Sequence, residues 1–277
     1  MAEKLTAEQV SQLEDRAKAV RRSIVSMVTE ANSGHPGGSL SAADILVTLY
    51  FAEMNVNAQN PNDPDRDRFV LCKGHAAPVL YATLAEKGYL PHEELLTLRR
   101  IDSRLQGHPS MKDLPGVDMS TGSLGQGLSA ANGMALASRI DGRKNRIFAL
   151  LGDGELEEGM VWEAAMFAGH YKLDNVTAFV DFNGLQIDGP VAEVMSPLPI
   201  PEKWLAFGWN VIEIDGHDIH AIYDAIQTAK TVKGQPTVIV AHTVKGKGVC
   251  QMENVADWHG KAPTKEECQI FLGELDD

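Results

Sequence analysis

The stretch Gly152–Gly159, GDGELEEG, and its counterpart Asp181–Gly189, DFNGLQIDG, together decide the fold and the chemistry. Arg146–Leu151 (RIFALL) is an apolar run of strand length leading into the first, and Val176–Val180 (VTAFV) leads into the second. Between them Glu157–His170 has helical length and composition. The alternation predicts Asp153 and Asn183 at the carboxyl ends of two parallel strands, where open α/β sheets bind their ligands. Gly152 and Gly154 let the chain turn tightly and approach a ligand closely. N–H groups at the start of the following helix would face an anion. Asp153, Asn183 and a backbone carbonyl near Leu185 offer three hard oxygen donors. Magnesium takes about six oxygens, few of them from protein and the rest from phosphate and water. The two segments are therefore expected to hold a magnesium ion that holds a diphosphate. An Asp capping an ordinary βαβ turn accounts for the first segment alone, but not for the second at this spacing.

Outward from this centre the β-α-β pattern continues. Short strands are expected at Arg68–Cys72, Trp209–Ile214 and Pro236–Ala241, and helices at Thr6–Thr29, Ser41–Met54, Ala76–Lys87, His92–Leu98, Leu128–Arg139, Ile219–Lys230 and Thr264–Asp277. Val10, Leu13, Ala17, Val20 and Ile24 recur at helical spacing behind Thr6, a capping residue. Asn55–Asp67, Leu105–Thr121 and Thr243–Pro263 read as irregular. Such alternation predicts an α/β fold, a parallel sheet with helices on both faces, with residues 1–277 as one domain.

Four histidines lie beside glycine in expected loops: His35 in SGHPGG, His75 in KGHA, His108 in GHP and His259 in WHGK. Glycine lets the backbone present each imidazole to a cleft, and an imidazole titrating near neutrality can donate or accept a proton. Zinc is a poor alternative, since the spacings match no H-x-x-x-H or C-x-x-C pattern. Asp215–Asp218 (DGHD) reads as a turn with helix capping, and Lys245–Gly248 (KGKG) as a mobile basic loop, with the guiding of phosphates as the alternative. Trp162, Trp204, Trp209 and Trp258 read as core or interface anchors.

Composition excludes several classes. The chain has 277 residues, 44% hydrophobic and 23% charged, as expected of a globular protein with a substantial core. The net charge of −13 argues against nucleic acid, while leaving room for a local cationic pocket that binds sugar phosphates. Three scattered cysteines, Cys72, Cys250 and Cys268, suggest reduced thiols. No signal-peptide pattern and no long apolar run is present, so a cytoplasmic protein without membrane contact is expected.

The two opening segments resemble the thiamine diphosphate signature, and from about Leu13 to Pro263 the chain resembles the N-terminal part of transketolase. The family often has two adjacent asparagines where this sequence has Phe182-Asn183, so only Asn183 can serve as a ligand. The resemblance implies a thiamine diphosphate-binding fold, the diphosphate-binding domain, with magnesium on Asp153, Asn183 and Leu185. It implies cofactor contacts from His75, Gly122, Ser123 and Leu124 of the GSLGQG loop, Gly152, Asp153, Gly154, Glu158 and Asn183. It also implies that His35 and His259 contact substrate oxygens, that His75 lies near the diphosphate and the reacting carbon, and that His108 bonds a hydroxyl of the ketose donor. The implied reaction moves a two-carbon ketol unit from a ketose phosphate to an aldose phosphate, with xylulose 5-phosphate and ribose or erythrose phosphates as the expected class. The family's pyrimidine-binding and C-terminal domains have no counterpart before the sequence ends. The chain is therefore expected to be one half of a split enzyme, an α₂β₂ heterotetramer with a C-terminal transketolase subunit. Other readings stay open: a split transketolase for an unusual sugar phosphate, the alpha subunit of a 2-oxo acid dehydrogenase, deoxyxylulose-phosphate synthase, and a non-catalytic scaffold.

Overall fold

The computed structural model describes residues 4–276. Its strands are β1 (Arg68–Leu71), β2 (Ile147–Gly152), β3 (Val176–Phe182), the two-residue β4 (Leu185–Gln186) and β5 (Gly189–Pro190), then β6 (Asn210–Asp215) and β7 (Thr237–His242). Five of them form one sheet in the order β1-β2-β3-β7-β6, every pair parallel, while β4 and β5 make a small antiparallel hairpin.

Side chains along the central strands alternate between two apolar cores. Phe69, Leu71, Phe148, Leu150, Phe179 and Ile239 point to one, and Val70, Ile147, Ala149, Leu151, Val180 and Val240 to the other. Both faces are dry, which is why these strands read as continuous apolar runs. Helices α1 (Ala7–Ala31), α2 (Pro36–Leu40), α3 (Ala43–Thr48) and α4 (Ala77–Glu86) gather on the first face. Helices α5 (Gly127–Ile140) and α6 (Gly159–His170) cover the second. After the short α7 (Val191–Val194), α8 (Ile200–Ala206) joins the second face and α9 (Ile219–Thr231) the first, and α10 (Lys265–Glu274) packs on α1. Capping boxes start α1 (Thr6 with Gln9) and α10 (Thr264 with Glu267), and Asp218 caps α9.

Local differences from the sequence reading have physical causes. The single helix expected over Ser41–Met54 is a turn at residues 41–42, then α3 running into a π-helical turn at Leu49–Glu53, and the short α2 precedes it. Residues 92–97 form a 3₁₀ helix. The helix expected from Glu157 starts only at Gly159, because Gly154–Glu157 is 3₁₀ and Glu158 is extended. Glu155 causes this by folding back onto the N–H groups of Gly152 (3.1 Å) and Gly125 (2.9 Å). Among the described residues no helix is long and apolar enough to cross a membrane, and all three cysteines are free.

Candidate active site

The carboxyl ends of β1, β2, β3 and β7 converge on a cleft of about 300 Å³. Asp153, at the tip of β2, is buried. Its Oδ1 accepts from the Gly154 N–H (2.8 Å) and its Oδ2 from the Gly184 N–H (2.6 Å), which ties the two signature segments together. Asn183 leaves β3 beside it. The Asn183 side-chain nitrogen donates to Asp181 (3.2 Å), and its oxygen accepts from the Leu185 N–H (3.2 Å). The Leu185 carbonyl accepts from Lys245 Nζ at 3.0 Å. The three residues named from sequence thus line one cleft. Among the described residues no cluster of three His, Cys, Asp or Glu side chains could hold a metal. One carboxylate, one amide and one carbonyl therefore form a hard, mostly neutral set. It suits a dication that brings its own phosphate ligands rather than a structural zinc.

The electrostatics fit an anion with a dication. Burial, and then the nearby charge of Asp181, push the Asp153 carboxyl up to about 7 despite its two N–H bonds. Asp181 is wholly buried, and burial alone would raise it. The Lys73 ammonium, with hydroxyls of Ser41 and Thr243, instead holds it below the usual carboxylate range. Lys73 also donates to the Gly38 carbonyl (2.6 Å). Lys245 is buried, which lowers its ammonium to about 8, and it reaches His259 Nδ1 at 2.9 Å. The sequence reading of a mobile loop at Lys245 is therefore corrected: this lysine is fixed in the cleft wall.

Three of the four loop histidines meet. The ring centroids of His35, His75 and His259 lie 5.1–5.5 Å from one another. Burial lowers them to about 4, 2 and 3 respectively, helped by neighbouring cations, by His108 for His35, and by the other imidazoles for His75 and His259. The expectation of imidazoles titrating near neutrality is corrected for these three, which are neutral hydrogen-bonding groups in the free chain. Lys245 donating to His259 Nδ1 leaves the proton of that ring on Nε2. His35 Nδ1 is buried without a partner. A buried orphan of this kind calls for a ligand.

His108 is exposed and does not line the cleft, although it lies near enough to His35 to disfavour its charge. Its ring would lie 2.9 Å from a Cβ at Gly122, whose φ of +145° already demands glycine. Gly122, Leu124, Gly152, Gly154 and the exposed Glu158 line the cleft, whereas Ser123 is exposed outside it and accepts from Gln126 (3.0 Å). Sequence reasoning missed Lys73, Asp181 and Glu155. All three lie inside quoted motifs (KGHA, DFNGLQIDG and GDGELEEG), but only the fold shows what they pair with.

A parallel sheet that gathers such an oxygen set, two buried lysines and neutral imidazoles at its strand ends defines a protein that binds a diphosphate cofactor. Residues 13–272 match the family described as "Transketolase, thiamine diphosphate binding domain", and the chain belongs to that family, whose cofactor is thiamine diphosphate. It is 45% identical over 270 residues to the SqwG chain of the 6-deoxy-6-sulfo-D-fructose transketolase of Clostridium sp. (strain MSTE9), which is named as a subunit, covering 98% of each chain. It is 43% identical to one of the apulose-4-phosphate transketolase subunits of Actinobacillus succinogenes, covering 96% of each. Against the transketolase of Homo sapiens it is 46% identical over 95% of this chain but 42% of that one. A transketolase structure from Pichia stipitis superimposes with a TM-score of 0.91 at 33% identity, over 95% of this chain and 40% of that chain. The chain thus spans about two-fifths of the single-chain transketolases it matches.

Proposed function

We propose that this chain is the diphosphate-binding subunit of a two-chain, thiamine diphosphate- and magnesium-dependent transketolase. The observation that carries the reading is the meeting of Asp153, Asn183 and the Leu185 carbonyl in one cleft with His35, His75 and His259. When bound, thiamine diphosphate supplies the nucleophilic carbon and electron sink for breaking and making a carbon–carbon bond. Asp153, Asn183 and Leu185 would hold the magnesium, and Lys73 and Lys245 would offset the diphosphate charge. His35 and His259, neutral and partly desolvated, would hydrogen-bond substrate oxygens, and His75 would lie nearest the reacting carbon. Gly122 and Leu124 would border the cofactor, with Glu158 at its rim, while the Ser123 side chain, outside the cleft, would make no contact. His108 would reach a donor hydroxyl across Gly122.

End-to-end similarity to proteins named as subunits supports a separate chain carrying the pyrimidine-binding and C-terminal domains, in an α₂β₂ assembly. In that arrangement residues 1–277 form one domain of the enzyme. The free thiols fit a cytoplasmic setting. The same relatives favour a second substrate reading, because their names specify a sulfonated ketose and a branched ketose phosphate. Ketol transfer should be assayed with this chain, with its partner, and with both, using xylulose 5-phosphate, a sulfonated ketose and a branched ketose phosphate as donors. Turnover only with both chains is the expected result. The preferred donor then decides between the common pentose phosphates and an unusual sugar. Turnover by this chain alone would refute the split, and no turnover with any donor would refute the transferase reading.

A further inference from the structure

Asp215–Asp218 does form the capped turn expected of it: Asp218 accepts from the Ala221 N–H (3.1 Å) and Asp215 from the His217 N–H (2.9 Å). The imidazole of His217 has a separate occupation. Its Nε2 accepts from the Val244 N–H at 2.8 Å, and its Nδ1 lies 2.7 Å from Asp44 Oδ2. A backbone N–H can only donate. Nε2 is therefore unprotonated, and the neutral ring carries its proton on Nδ1 and gives it to Asp44. Asp44, on α3, is gripped in turn by both terminal nitrogens of Arg21 on α1, at 3.0 and 2.5 Å. Asp44 and Arg21 are buried and His217 is mostly so, with its side chain 14% exposed. The ring orientation is thus dictated from the helical layer, by Asp44 and Arg21, which do not line the cleft.

Val244 lies between two residues of the site. Thr243 Oγ1 donates to Asp181, and Lys245 Nζ reaches both the Leu185 carbonyl and His259. The turn carrying His217 is pressed against this segment, since a Cβ at Gly216 would lie 2.5 Å from Thr243 Cγ2. We propose that His217 is a positioning residue for the cofactor site: by accepting the Val244 N–H it fixes the exit of β7, and with it Thr243 on Asp181 and Lys245 on the Leu185 carbonyl. The proposal rests on the reading that Lys245 and Leu185 belong to a metal–diphosphate site. Without the acceptor, the Val244 N–H is left unpaired and the segment loses its anchor.

Two measurements test it. Nitrogen-15 NMR of the full chain, labelled at histidine and free of ligand, should show His217 protonated at Nδ1 and not at Nε2. A proton on Nε2 overturns the relay whatever the function proves to be. Calorimetric titration of thiamine diphosphate with magnesium chloride into the two-chain complex should then compare His217→Leu with His217→Gln, whose amide oxygen can still accept from Val244. Loss of one buried hydrogen bond predicts affinity about tenfold weaker for Leu, largely restored in Gln. Equal affinity in the unsubstituted and Leu complexes, or equal loss in Leu and Gln, overturns the proposal. Should the Leu chain not fold, the Gln affinity and the tautomer decide: near-normal binding with an Nδ1 proton supports the relay, and a tenfold loss in Gln counts against it. Absence of binding by the unsubstituted complex would instead refute the function proposed above, leaving the tautomer result intact.

Discussion

Asp153 and Lys245 set opposing limits on cofactor binding. The Asp153 carboxyl is pushed up to about 7 by burial and Asp181, so below that pH a proton must leave before a dication can bind. Lys245, lowered to about 8 by burial, loses its charge above that value and with it an attraction for the diphosphate. Affinity for magnesium with thiamine diphosphate should therefore peak between these values and fall by up to about tenfold per pH unit below the lower one. Calorimetry across pH, in buffers of different ionisation heat, would read both the affinity and the released proton. The same shift has a stability sign. Because the folded-state value of Asp153 lies above its unfolded one, this group favours folding at low pH. That contribution is lost as pH rises from about 4 toward about 7 in the ligand-free chain. Gly122→Ala should push His108 aside, since the new Cβ would meet its ring at 2.9 Å. Donor KM should rise several-fold, as steady-state kinetics would show. Asp153, Asn183 and the histidines were legible because glycine neighbours and strand ends are local signals. Lys73, Glu155 and Asp181 were not, because their pairing joins segments far apart in sequence, Lys73 with Asp181 and Glu155 with the loop at Gly125.

At the scale of elements, the loop carrying His108 and the GSLGQG segment is held to β1 by one carboxylate. Asp118 pairs with both terminal nitrogens of Arg66 and accepts from the Phe69 N–H at 2.8 Å. All of this is buried. Asp118→Ala should cost about 3–5 kcal/mol, because it strands a buried guanidinium and a strand N–H. Urea denaturation would measure the loss. Helix α5 starts at Gly127 against β1, where a Cβ would lie 2.7 Å from Cys72 Sγ. Gly127→Val should destabilise by about 1–3 kcal/mol through overpacking and lift the GSLGQG loop from its seat. Helical spacing and a capping residue made α1 readable, composition made α5 and α10 readable, and the alternation with strands gave α9. The β4–β5 hairpin and helices α7 and α8 gave no comparable signal: the strands are two residues each, and the helices are too short to show a period. The break between α2 and α3 was hidden because every residue from Pro36 to Tyr50 is buried, which erases amphipathic contrast.

For the whole molecule, a net charge of −13 surrounds a cleft whose fixed cations are the buried Lys73 and Lys245. An anionic ligand is therefore drawn in by two placed ammonium groups and a dication rather than by the general field. The parallel sheet and its paired apolar faces were plain from the strand runs, whereas the order β1-β2-β3-β7-β6 was not, since no local pattern states which strand lies beside β3. The central claim is that Asp153, Asn183 and the Leu185 carbonyl hold a dication that holds the diphosphate. It is tested most directly by titrating thiamine diphosphate into the two-chain complex with and without magnesium, using the unsubstituted chain and Asp153→Ala. Saturable binding that needs magnesium and is lost in Asp153→Ala, in a complex that still assembles, is the predicted result. Undiminished binding by Asp153→Ala, or binding indifferent to magnesium, would contradict it.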